Sequence, residues 1–100
     1  MNPLLEEENI VQLIHKVRNL KVMLDSDLAE MYRVSTKRLN EQVKRNLLRF
    51  PDDFMFQLNK DEWVNLKLQV ATSSWGGRRT LPYVFAEQGV AKLSSILSSL

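Results

Sequence analysis

Between Arg33 and Arg49 the chain carries six cations (Arg33, Lys37, Arg38, Lys44, Arg45, Arg49) and one acid, Glu41. Cations three, four and seven residues apart share one side of a helix. A helix with a cationic side suits a polyanion; the plain alternative is a solvated surface. A second concentration of chemistry is TSSWGGRR at residues 72–79. Ser73 and Ser74 can donate to phosphate oxygens, and Arg78 and Arg79 can reach phosphate or the minor groove; the plain alternative is that the glycines merely turn and the arginines are solvated. The glycines allow a sharp turn or a backbone close to a partner. Trp75 is expected to fold back onto the core, where an aromatic ring buries well.

Other chemistries find little support. Cysteine is absent, which excludes disulfides and thiolate metal sites and fits a reducing cytoplasm. A single histidine, His15, cannot build a multi-histidine metal site and reads as a strand surface residue. Asp52 and Asp53 read as turn and cap chemistry rather than as a catalytic dyad. The glycine pair alone does not cradle a phosphate. Phe54, Phe56, Tyr83 and Phe85 read as core from two neighbouring strands rather than as a stacking platform for single-stranded bases. The expectation is therefore no enzyme, no cofactor and no metal. No apolar run is long enough to span a membrane, and the acidic start MNPLLEEENI is unlike a secretory signal.

One hundred residues suit one domain, residues 1–100, and 44% hydrophobic residues can build its core. The net charge is only +2, because the balancing acids lie apart in EEE at 6–8, DSD at 25–27 and DD at 52–53. NIVQLIHKVRN reads as a helical or irregular lead-in that becomes a strand near residue 13. A turn at Asn19, with positive φ, leads to a second strand, KVML at 21–24. DSDLAEMY reads as a helix capped by Asp25 or Ser26. Ser35 caps a second helix from Thr36 to Leu48, ended by Pro51. DFMFQL at 53–58 alternates as a half-buried strand, with Phe54, Phe56 and Leu58 on one side. Asn59 and Glu62 have capping-box spacing before a helix bearing Trp63, Leu66 and Val70. TLPYVF at 80–85 reads as a strand, with Pro82 suggesting an edge. A final helix carries Val90, Leu93, Leu97 and Leu100 on one stripe. Gly89 within it either permits close packing or costs about 1 kcal/mol. The fold class is α+β: a helix-turn-helix, winged-helix-like core with a small antiparallel sheet of three to four short strands.

The two helices from Leu28 to Arg49 have helix-turn-helix spacing. Ala29 lies where they would cross, Val34 fills the angle, and Leu39 and Val43 face the core. On the helical wheel Asn46, Leu47 and Phe50 join that core side, and Leu48 points outward. Lys37, Glu41, Lys44, Arg45 and Arg49 oppose it, with Arg38 at the flank. Thr36, Lys37, Asn40, Glu41 and Lys44 are candidate base readers, since asparagine pairs with adenine and lysine with guanine. Arg45 and Arg49 are candidate phosphate contacts. The alternative use of the same basic helix is docking on an acidic repressor or a partner subunit. Leu48 and the apolar last helix hint at a homodimer.

KVMLDSDLAEMY, LNEQVKRN, RFPDDFMFQL, SSWGGRR and EQGVA, in that order, resemble the phage and prophage "ORF six N-terminal" domain, a relative of the KilA-N and Bro-N families. The resemblance covers about residues 13–98. It implies a sequence-specific double-stranded DNA-binding module of an antirepressor-like transcriptional regulator, with a different domain following it in a longer protein. Two departures stand out: Arg33 replaces a glycine usual after the tyrosine, and Ala86 replaces a threonine before EQG, leaving the last helix without a side-chain cap.

Overall fold

The computed structural model describes the backbone of residues 7–69 and 80–98, and side chains from residue 10 within them. It is α+β. A short helix α1 (Glu7–Gln12) leads into strands β1 (His15–Val17) and β2 (Leu20–Leu24), then helices α2 (Asp25–Tyr32) and α3 (Thr36–Arg45). A 3-10 turn (Leu47–Arg49) and β3 (Met55–Gln57) follow, then α4 (Lys60–Gln69), β4 (Tyr83–Ala86) and α5 (Glu87–Leu97). The four strands form one antiparallel sheet in the order β1-β2-β4-β3.

The hairpin that starts the sheet follows from its turn. Val17 pairs with Leu20, so the loop is only Arg18–Asn19. Both residues take positive φ, 53° and 63°, as a type I′ turn requires to match the twist of its strands. Asparagine tolerates this conformation; for Arg18 it is a strain that outside contacts must offset. Those contacts exist. The Arg18 guanidinium donates from Nε to Glu62 Oε2 at 2.8 Å and from its second nitrogen to Oε1 at 3.0 Å. It also lies 4.1 Å from the centre of the Phe56 ring.

Glu62 is shared. Its Oε1 accepts from Asn59 N at 2.9 Å while Asn59 Oδ1 accepts from Glu62 N at 2.8 Å. This is the reciprocal capping box that the spacing predicts. The bond to Arg18, first among the causes, holds the Glu62 carboxyl below its ordinary value. The same bond pushes the arginine up.

The sheet is covered on both faces, so the strands do not show a one-sided pattern. Val22, Leu24, Phe56, Leu58, Val84 and Ala86 pack with Trp63 and Leu66 of α4. Met23, Met55 and Phe85 pack with Leu28 and Ala29 of α2, Leu39 and Val43 of α3, Phe50, and Leu93, Ile96 and Leu97 of α5. The half-buried reading of residues 53–58 is thereby corrected: Met55 is buried as well as Phe56 and Leu58, and Phe54 precedes the strand. The edge placement of TLPYVF is also corrected. β4 is central, and Pro82 sits just before its ladder, where its carbonyl accepts from Leu58 N at 2.9 Å. His15, read as a surface residue, is half-buried, and burial pushes its pKa down.

Gly89 has a packing reason. The Phe54 carbonyl accepts from Ala86 N at 2.9 Å and lies over the first turn of α5. A Cβ at position 89 would overlap that carbonyl oxygen and come within 2.9 Å of its carbon. Ala86 leaves α5 without a side-chain cap, as its sequence implies.

Two outcomes follow. Gly89→Ala should lower stability by about 1–3 kcal/mol in chemical denaturation, the usual cost of overpacking. Replacing Glu62 by Gln keeps the cap but removes the charge that Arg18 favours. A carboxyl with depressed pKa contributes stability above its unfolded value and loses it as pH falls through the folded one. The melting-temperature gap between wild type and Glu62→Gln should therefore hold above pH 5 and close below about 4.5, the ordinary glutamate value.

Candidate nucleic-acid interface

The α2–α3 corner is built by local backbone chemistry. Arg33 takes the left-handed conformation, φ 58° and ψ 41°. Its N–H donates to Glu30 O at 3.1 Å, and Val34 N donates to Ala29 O at 3.0 Å. This pair of bonds is a Schellman termination with Arg33 at the position glycine favours. Val34 then packs against the core cluster that holds Ala29. Ser35 caps the next helix, its Oγ accepting from Arg38 N at 3.0 Å. The helix that begins there buries Leu39 and Val43 completely or nearly so.

The opposite side of α3 is open. Lys37, Arg38, Glu41, Lys44 and Arg45 are all exposed. At 1.5 Å rise per residue, Lys37 and Lys44 make one row of about 10 Å, with Glu41 between them, and Arg38 and Arg45 make a second row beside it. Among the described residues none of these cations is in an ion pair; the pair that forms is Arg18 with Glu62, across the sheet. Lys44 and Arg45 also stand in the last turn, where the helix dipole favours positive charge.

The helix is shorter than its sequence suggests. It stops at Arg45, where Asn46 leaves the helical region and its Nδ2 donates to Gln42 O at 2.9 Å. A 3-10 turn then resets the phase. As a result Leu47, expected on the core side, is 58% exposed, Leu48 stands fully out, and Phe50 returns to the core. Arg49 is exposed on this turn, beyond the helix proper. The apolar stripe of α5 is core, through Leu93, Ile96 and Leu97, so a homodimer contact there loses its basis.

Thr36 and Asn40 are half-buried. Asn40 is tied inward: its Nδ2 donates at 3.0 Å to Oδ2 of Asp25. Asp25 is completely buried. Its Oδ1 accepts from Ser26 N at 2.7 Å and its Oδ2 also accepts from Tyr83 N at 3.2 Å. The sequence reading offers Asp25 or Ser26 as the cap of α2; the N-cap position falls instead on Leu24, which makes no side-chain cap bond. Asp25, the first helical residue, takes the Ser26 N–H and joins α3 and β4, which the sequence reading missed. The available signal was an acid between the apolar Leu24 and Leu28 at a strand–helix junction. Asn40 lines a cleft of about 30 Å³ with Val43, Lys44, Leu47, Met55 and Tyr83. Ser73, Ser74, Arg78 and Arg79, together with Trp75, lie outside the described residues.

The described residues include no helix long and apolar enough to cross a membrane. A protein-family model described as the ORF6N domain matches residues 12–96. No curated protein and no solved structure matches the chain.

Arg33 provides the test of this corner. Arg33→Gly removes the Cβ strain of the left-handed cap and should raise stability by about 0.5–1 kcal/mol. An unchanged or lower melting temperature would show that the arginine side chain offsets the strain.

Proposed function

The chain belongs to the ORF6N domain family, and from that premise we propose that it is a sequence-specific double-stranded DNA-binding module of a phage- or prophage-derived, antirepressor-like regulator, with α3 as its reading helix. The observation that carries this reading is the exposed cationic side of α3, without an ion pair among the described residues, opposite a packed apolar side. A major groove admits one α-helix, and the Ser35-capped end of α3 would enter it, as reading helices do. Lys37, Glu41 and Lys44 stand on the middle of the outer face, suited to base edges, with Thr36 and Asn40 at its border. Arg38, Arg45 and Arg49 flank it and suit phosphates, which position the protein without specifying sequence.

The exposed pair Leu47–Leu48 favours a second reading, in which the same helix docks on an acidic repressor, a partner subunit or a second copy of this chain. Competition separates the two. Random duplex DNA displaces a labelled duplex from a DNA reader and leaves a bound protein partner in place.

Duplex binding measured by fluorescence anisotropy should weaken with salt, log K falling by about 0.9 per phosphate neutralised. Arg45→Ala or Arg49→Ala should flatten that slope by about one unit and weaken all sequences alike. No loss on changing Lys44, Arg45 and Arg49 would remove α3 from the interface.

A further inference from the structure

The Asp25–Asn40 contact does more than attach a helix. A buried carboxylate is an acceptor only, so the amide face that Asn40 turns toward Asp25 must be its nitrogen. One N–H of Nδ2 goes to Oδ2 at 3.0 Å. Asp25 is itself held by Ser26 N and Tyr83 N, one from the start of α2 and one from the central strand. A free carboxamide can turn over and present its donor and acceptor in either order. This one is held in a single order.

We propose that Asp25 is a positioning residue for base recognition: it fixes the Asn40 carboxamide so that Oδ1 and the remaining N–H of Nδ2 form one outward donor–acceptor pair, matched to an adenine edge in the major groove. The inference rests on the duplex-reading assignment of α3. Adenine offers N6–H as donor and N7 as acceptor, the complement of that pair, and guanine offers two acceptors there. Asn40 borders the exposed row of Lys37, Glu41 and Lys44, and lines the cleft beside Lys44. The fixed orientation also limits the entropy lost on binding, since the side chain is already ordered.

The experiment is selection of bound sequences from a random duplex pool, followed by anisotropy on the selected duplex and on single-base variants. Wild type should select an adenine at one position and disfavour its replacement by about five- to hundredfold, the worth of one bidentate base contact. Asp25→Asn should erase that preference while leaving the salt slope and the affinity for random duplex unchanged. The double change Asp25→Asn with Asn40→Asp reverses donor and acceptor between the two side chains, at the loss of the Tyr83 N–H bond, and should move the preference to cytosine, whose N4–H donates to a carboxylate. If Asp25→Asn alone folds poorly, Asn40→Ala, which leaves Asp25 its two backbone donors, keeps the test open: it should erase the same adenine preference.

Three results would overturn the proposal. One is Asp25→Asn retaining the adenine preference with only a lower melting temperature. Another is an exchanged variant that folds but keeps the preference for adenine. The third is a wild-type pool with conserved positions but no adenine dependent on Asn40, which leaves duplex binding standing and removes this role. A wild-type protein that selects nothing and binds no duplex rejects the underlying reading itself.

Discussion

A carboxylate removed from water needs hydrogen bonds in place of its hydration, or it destabilises the fold. Asp25 meets that requirement by drawing three donors from three elements: Ser26 N in α2, Asn40 Nδ2 in α3 and Tyr83 N in β4. Apolar packing of Leu28 and Ala29 against Leu39 and Val43 holds the two helices together. The contact at Asp25 adds a directional tie between α2, α3 and β4, made on the α3 side through Asn40.

The other face of the sheet has its own clamp. Arg18 at the tip of the first hairpin, the Phe56 ring and the capping box of α4 meet at Glu62. Sixty-two and eighteen are far apart in sequence, so this contact closes a long loop between the hairpin and α4. It explains why an arginine occupies a turn position where a glycine or asparagine would fit with less strain. The two clamps divide the molecule's work. One ties α4 to the hairpin beneath the sheet, and the other ties α3 to α2 and β4 above it. Charge follows the same division: among the described residues the ion pair is on the α4 side, and the cations of α3 are exposed.

Much of this was legible in the residues. The Ser35 cap, the Asn59–Glu62 capping box, positive φ at Asn19 and the inward side of Leu39 and Val43 all arise from local chemistry within a few residues. What was not legible depends on distant partners. The central position of β4 is decided by pairing with β2 and β3, more than 25 residues away, and Pro82 marks its start rather than an edge. Burial of Met55 follows from helices on both sides of the sheet, which no single strand can display. Leu47 turns outward because Asn46 bonds back to Gln42 and ends the helix early, a competition between side chain and backbone that a helical wheel ignores. Of the candidate interface residues, the cations stand outward as their spacing predicts, whereas the inward tie of Asn40 depends on Asp25, which is buried. The loop residues Ser73, Ser74, Arg78 and Arg79 lie outside the described chain.

On the proposed reading, the surface that meets a duplex is the outer side of residues 36–45. Backbone amide shifts followed by NMR during titration with a short duplex, at low and then at moderate salt, test it directly. The account predicts that the largest changes fall on Thr36, Lys37, Arg38, Glu41, Lys44 and Arg45, and extend weakly to Arg49. Changes concentrated instead on the β1–β2 hairpin or on the outer face of α4, with α3 unmoved, would contradict it.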